Sequence, residues 1–202
     1  MKIDYCEQLS PEWFAIHKGK IGGKMFGQVI SGKKNRLIYE LLNQHLNEYN
    51  IPDEYVDEKM QFGIDNEETA IELYSKFSGL TFIKIGCYLS ETSPIHMASP
   101  DGITPDFKIV LEIKCTMDGS IHMQRFFEGP ETTYMPQIKN YFAVDDTIEE
   151  VHWVSYCPMR SEKPLVFFIF KRKEFESEIN KGRELIKNIE KEIEIKLSEF
   201  TF

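Results

Sequence analysis

Ser99-Pro100-Asp101-Gly102 and, after a short loop, Ile109-Val110-Leu111-Glu112-Ile113-Lys114-Cys115 form the stretch that decides how this chain reads. The second half has strand character, so Glu112 and Lys114, two residues apart, project from one face. Asp101 precedes a glycine able to turn the chain back, which would bring its carboxylate beside that face. Glu112 is flanked by Leu111 and Ile113, and a carboxylate buried on a central strand needs a cation, either Lys114 or a metal. Two acids hold a hard divalent ion, and a lysine beside them can hold or activate a water. A metal-dependent phosphodiesterase site is the sharp reading. A Glu112–Lys114 pair on an exposed sheet face is the plain one, and it makes no use of Asp101.

Around this stretch the apolar pattern changes period. Toward the N-terminus it is helical. Ser10-Pro11-Glu12 reads as a helix start, Lys24–Ile30 as a short helix, and Arg36–Tyr49 as a longer one ended by Asn50-Ile51-Pro52-Asp53. A long helix is expected from about Lys59 through Phe77, closed by Ser78-Gly79. Strands are then expected at Thr81–Leu89, Ile95–Ser99, Lys108–Lys114, Glu150–Cys157 and Leu165–Lys171, with a helix over Met135–Ala143. Strand, helix and strand in that order predict a crossover packing the helix on a mixed sheet. The fold class is α/β, a central mixed sheet of about five strands flanked by helices. Phe175–Phe200 is an amphipathic helix, expected to cover the sheet or a neighbouring subunit; its eight basic and eight acidic residues between Lys171 and Glu199 balance.

The 202 residues suit one domain with a sizeable core. Cys6, Cys87, Cys115 and Cys157 are scattered and suggest neither a zinc site nor a disulfide framework. With no apolar signal core and no run of about 18 apolar residues, a soluble, cytoplasmic protein is expected. The net charge of −9 argues against a surface that is generally sticky for polyanions. Basic charge is local: between His17 and Tyr39 lie Lys18, Lys20, Lys24, Lys33, Lys34 and Arg36 and no acid. Within it, Gly19-Lys20-Ile21-Gly22-Gly23-Lys24 reads either as a glycine-rich turn or as a helix start whose amides suit a phosphate.

Asp101 followed by Glu112-Ile113-Lys114 resembles the PD-(D/E)xK nuclease signature. More closely, the chain resembles the lambda-exonuclease and YqaJ-type viral recombinase family. The likeness rests on Gly63-x-x-x-Glu67-x-x-Ala70, Ala98-Ser99-Pro100-Asp101-Gly102, Leu111-Glu112-Ile113-Lys114-Cys115, Tyr134-Met135-x-Gln137 and Tyr156-x-Pro158. The ordered set is far more specific than the short signature alone. It implies a restriction-endonuclease-like core in one nuclease domain over 1–202: a helical DNA-end-binding part at 1–60, the catalytic core at 61–171 and a C-terminal helix at 172–202.

By position, the resemblance implies that Asp101, Glu112 and the Ile113 carbonyl hold Mg²⁺, with Mn²⁺ substituting and two ions per site. Glu67 would reach the metals, with Glu68 its one-residue register rival, Lys114 would position the water, and Gln137 would help orient the site. His17, Lys18, Lys20 and Lys24 would bind DNA and its 5′-phosphate. The family's arginine and serine for that phosphate fall here at His17 and Lys24, which leaves strict 5′-phosphate dependence and processivity open. The activity implied is 5′-to-3′ exonucleolytic digestion of duplex DNA from its ends in phage or prophage recombination. A ring of three subunits and a single-strand annealing partner come with it. A related endonuclease or nickase, or a non-catalytic DNA-binding or assembly module, remain the alternatives.

Overall fold

The structure, a computed structural model, describes residues 2–47 and 57–200. Helix α1 (Pro11–His17) starts where expected, the Ser10 hydroxyl accepting from the Trp13 amide at 3.2 Å. Helices α2 (Gly23–Ile30) and α3 (Lys34–Leu46) follow, α3 ending on an extended Asn47, short of the expected Tyr49; Asn50–Asp53 lie outside the described residues. The long helix α4 (Glu58–Ser78) is capped by Asp57 and ends on Gly79 in the left-handed conformation, φ 72°. Helix α6 (Met135–Val144) and the terminal helix α7 (Glu176–Phe200) fall within a residue of their expected bounds.

Helix α5 (Gly119–Glu128) was not foreseen. Its signals are local: Asp118 accepts from the Ser120 and Ile121 amides, and Gly129 follows the last turn. Its buried face carries His122 and Arg125, so the apolar period that betrays most helices is broken.

Strands β4 (Gly102–Ile103), β5 (Ile109–Cys115), β6 (Glu150–Tyr156) and β7 (Leu165–Lys171) form a mixed four-stranded sheet in that spatial order. The β5–β6 pair is parallel and is crossed by α5 and α6, while β6–β7 is an antiparallel hairpin. The expected five-stranded sheet is divided in two. Strand β2 (Cys87–Leu89) pairs on one side with β3 (Met97–Ala98) and on the other with the unforeseen N-terminal strand β1 (Lys2–Asp4), in a separate antiparallel sheet. The strand expected over Thr81–Leu89 breaks because its halves bond to different neighbours. Ile83 exchanges amide bonds of 2.8 and 3.0 Å with Ile103, whereas the Gly86 amide turns to the Asp4 carbonyl.

Helices α2, α3, α6 and α7 share one apolar core with one face of the four-stranded sheet, around Phe26, Leu41, Phe142 and Trp153. Helix α4 covers the other face, packing Ala70 and Tyr74 on Leu111, Ile113 and Val154. Helix α7 lies on α2, α3 and α6, helices of its own chain. Its buried stripe is Ile179, Gly182, Ile186, Ile189 and Ile193. Four buried isoleucines contribute roughly 1.5–3 kcal/mol each, against about 0–1 kcal/mol for each surface ion pair. Apolar burial therefore decides where α7 sits.

Candidate active site

Strand β5 carries Glu112 into the interior, where it is 1% exposed. The exposed-pair reading fails on that number. Lys114 Nζ donates to Glu112 Oε1, and the Tyr141 hydroxyl of α6 donates to Glu112 Oε2. Burial, then the negative charge of Glu112 and Asp101, holds the Tyr141 phenol well above its ordinary range, so it stays a donor. Burial opposes the Lys114 charge, but the attraction of Glu112 and Asp101 outweighs it and raises the ammonium above the usual lysine range.

The turn after Pro100 does bring Asp101 back to β5: Asp101 Oδ2 accepts from the Ile113 amide at 2.5 Å. Burial, then Glu112, pushes Asp101 well above the ordinary carboxylate range, with Glu67 adding to the push and Lys114 opposing it. A cavity of about 380 Å³ opens here, lined by Asp101, Ile113, Lys114, Cys115, Glu67 and Tyr134 among others. Glu67 reaches it from α4, and Glu68, one residue on, is exposed and does not line it. A helix turns about 100° per residue, so only one of the two can face inward.

The carboxylates are otherwise engaged: Glu112 with Lys114 and Tyr141, Asp101 with the Ile113 amide, and Glu67 with Lys84 at 3.3 Å. Among the described residues, no three His, Cys, Asp or Glu side chains converge closely enough to hold an ion as they stand. The donor set nevertheless suits one. It is all oxygen, it has room, and the burial that raises the Asp101 carboxyl, together with the nearby Glu112 and Glu67 charges, is what a divalent cation would offset.

The basic segment forms a second cavity of about 350 Å³, lined by Trp13, His17, Lys20, Lys24, Ser99 and Gln137 among others. His17 bonds the Trp13 carbonyl through Nδ1 at 2.7 Å and Ser99 Oγ through Nε2 at 3.1 Å, and its ring lies 3.5 Å from that of Trp13. Burial lowers its pKa below the ordinary histidine value. Lys20 lines the cavity with its ammonium on the Pro94 carbonyl, and Lys24 stands at the start of α2, whose Gly22 cap offers no side chain to the first amides. Lys18 departs from expectation: its ammonium bonds the Asn47 carbonyl at 2.8 Å, beyond α3, and does not line the cavity.

Gln137 also departs, in part. It lines the basic cavity, not the carboxylate one, and donates to the Tyr141 hydroxyl at 3.2 Å. It reaches Glu112 only through Tyr141. Tyr141 is not among the residues that the sequence singles out, although its hydroxyl meets Glu112. The available signal was its i, i+4 spacing from Gln137, which puts both on one side of α6. Ser99 and Tyr141 line the basic cavity, and the Tyr141 hydroxyl links that side to Glu112.

Residues 12–147 match the model of the YqaJ-like viral recombinase domain. Among solved structures, the chain is similar to an alkaline exonuclease from Laribacter hongkongensis at 24% identity, covering 94% of this chain and 97% of that one, with a TM-score of 0.76. The same figures hold for that exonuclease in complex with dAMP. A phage-related exonuclease from Haemophilus somnus 129PT is similar at 17% identity, covering 90% and 96% of the two chains, with a TM-score of 0.59. No curated protein matches.

Proposed function

The chain belongs to the YqaJ-like viral recombinase family, and from that premise we propose that it is a Mg²⁺-dependent exonuclease of phage-type recombination, digesting duplex DNA from 5′ to 3′. The observation that carries this is Asp101, Lys114 and Glu67 lining one cavity, with the buried Glu112 held against Lys114. Asp101, Glu112 and the Ile113 carbonyl would hold the ion, and Glu67 would join once released from Lys84. Mg²⁺, or Mn²⁺ in its place, two ions per site, would supply charge stabilisation at the scissile phosphate and a more acidic water. Lys114, freed from Glu112, would orient the attacking water. Tyr141 keeps Glu112 aimed from behind, and Gln137 keeps Tyr141 in place.

Lys20, Lys24 and the first amides of α2 are the groups to receive the 5′-phosphate. His17 beside them is neutral at ordinary pH and acts through hydrogen bonding. A ring of three subunits with the basic segments inward would reconcile the net charge of −9 with DNA binding, and a single-strand annealing protein would take the product strand. The test offers end-labelled linear, nicked and closed circular duplexes, with and without 5′-phosphate, over a Mg²⁺ series. Release of nucleotides from linear DNA with closed circles untouched is expected. Cleavage of closed circles would make the enzyme an endonuclease, and no Mg²⁺- or Mn²⁺-dependent release from linear DNA would remove the nuclease reading.

A further inference from the structure

Arg125 lies on the buried face of α5 at 5% exposure, and the chemistry above makes no use of it. Its guanidinium spends its donors on several elements at once. Nε and Nη2 meet the Glu131 carboxylate at 2.9–3.2 Å, Nη1 donates to Ser155 Oγ at 3.1 Å and to the Lys114 carbonyl at 3.3 Å, and Nη2 reaches the Tyr134 hydroxyl at 3.4 Å. The same group lies 5.4 Å from the Trp153 ring and 5.9 Å from the Tyr134 ring. The other face of this arrangement is the site itself: Tyr134 lines the carboxylate cavity, and Lys114 Nζ lies 5.5 Å from its ring centroid.

We propose that Arg125 is a positioning residue, which fixes the Lys114 ammonium through the end of β5 and through the Tyr134 ring. The inference rests on the nuclease reading, because Lys114 is the lysine of that site. Lys114 stands between Glu112 and Tyr134, and once Glu112 is engaged elsewhere the ring is the support that remains. Holding helix α5 to the sheet does not require Arg125. His122 already does so, with Nδ1 on Ser155 Oγ at 3.0 Å and Nε2 on the Lys163 carbonyl at 2.9 Å. What His122 does not duplicate is the branch to Lys114 and Tyr134. Only a planar fork can meet a carboxylate, a carbonyl and two aromatic rings together, so lysine is no substitute here.

The full chain carrying Arg125→Lys tests this, with Glu131→Gln as a second variant on a partly exposed side chain that leaves the buried guanidinium in place. Turnover of end-labelled linear duplex with Mg²⁺, DNA affinity by anisotropy, and melting temperature are read on each. Arg125→Lys should lower kcat roughly 10- to 100-fold, the range seen when partners behind a metal-site group are removed, with Kd for DNA unchanged and the loss persisting at temperatures well below the variant's own melting point. Glu131→Gln should move kcat in the same direction. Adding Tyr134→Leu to Arg125→Lys should cost less than the two changes cost separately, because both act on Lys114. Full turnover in Arg125→Lys, a loss of turnover that vanishes well below its melting point or follows DNA affinity, or strict additivity with Tyr134→Leu would overturn the proposal. An active wild type with unaffected variants removes this inference alone, whereas an inactive wild type removes the nuclease reading and this inference with it.

Discussion

Both oxygens of the buried Glu112 carboxylate are occupied, one by Lys114 and one by Tyr141. Hydrogen bonds to a charged group contribute about 1.5–3 kcal/mol. Tyr141→Phe should therefore destabilise the protein by about that amount in urea unfolding, since it leaves a buried carboxylate oxygen and the Gln137 amide unmet. Lys114→Ala should abolish nucleotide release while leaving Mg²⁺-supported DNA binding largely intact in a gel-shift assay; equal loss of both would make the lysine structural. The two adjacent glutamates of α4 give a sharper contrast. Glu67→Gln should weaken Mg²⁺ binding measured by calorimetry and slow turnover, whereas Glu68→Gln, on the exposed side of the helix, should change neither. At this scale Asp101, Glu112 and Lys114 were legible because their chemistry depends on sequence spacing of a few residues. Tyr141 was not, because a buried tyrosine reads as core until the carboxylate beneath its hydroxyl is seen.

Helices α2 and α7 approach each other so closely at Gly182 that a Cβ there would lie 2.4 Å from Cζ of the buried Phe26 ring. Gly182→Ala should cost about 1–3 kcal/mol by overpacking. Gly63, within α4 and with nothing within 4 Å of an added Cβ, is the opposite case. Gly63→Ala should raise stability by roughly 0.5–1 kcal/mol through helix propensity. Melting curves of the two variants should shift in opposite directions, and a shared direction would contradict the packing described. Long helices with a clean apolar stripe, α4 and α7, were legible from periodicity alone. Helix α5 was hidden because its inward face holds His122 and Arg125, whose partners come from β5, β6 and the segment after α5. The division of the sheet at Gly86 was hidden because it depends on β1, a three-residue strand with no pattern of its own.

Across the molecule, His96 ties the small sheet to the helical layer. It is 1% exposed, bonds Asn140 Oδ1 at 2.9 Å and stacks on Phe26, with centroids 6.0 Å apart. Burial lowers its pKa to about 4. Above pH 6.5 neither the native nor the unfolded protein carries this charge. As the pH falls from 6.5 toward 4 the unfolded chain takes up the proton first, so stability is lost across that window, by about 3 kcal/mol in full. Urea unfolding at pH 7.5 and 4.5 should show the loss, and His96→Gln should flatten it; an unchanged slope would assign the acid sensitivity to other groups. The chain by itself determined the α/β class, most element bounds, the family and the spacing of the carboxylate–lysine site, since all of these are written in local period and residue order. Tertiary structure alone decided that Glu112 is buried, that Glu67 and not Glu68 faces Asp101, that Lys18 leaves the basic cavity, and that Gln137 reaches the carboxylates only through Tyr141. Those outcomes depend on which faces of α1, α4, α6 and β5 meet, and residues far apart in the chain set that geometry.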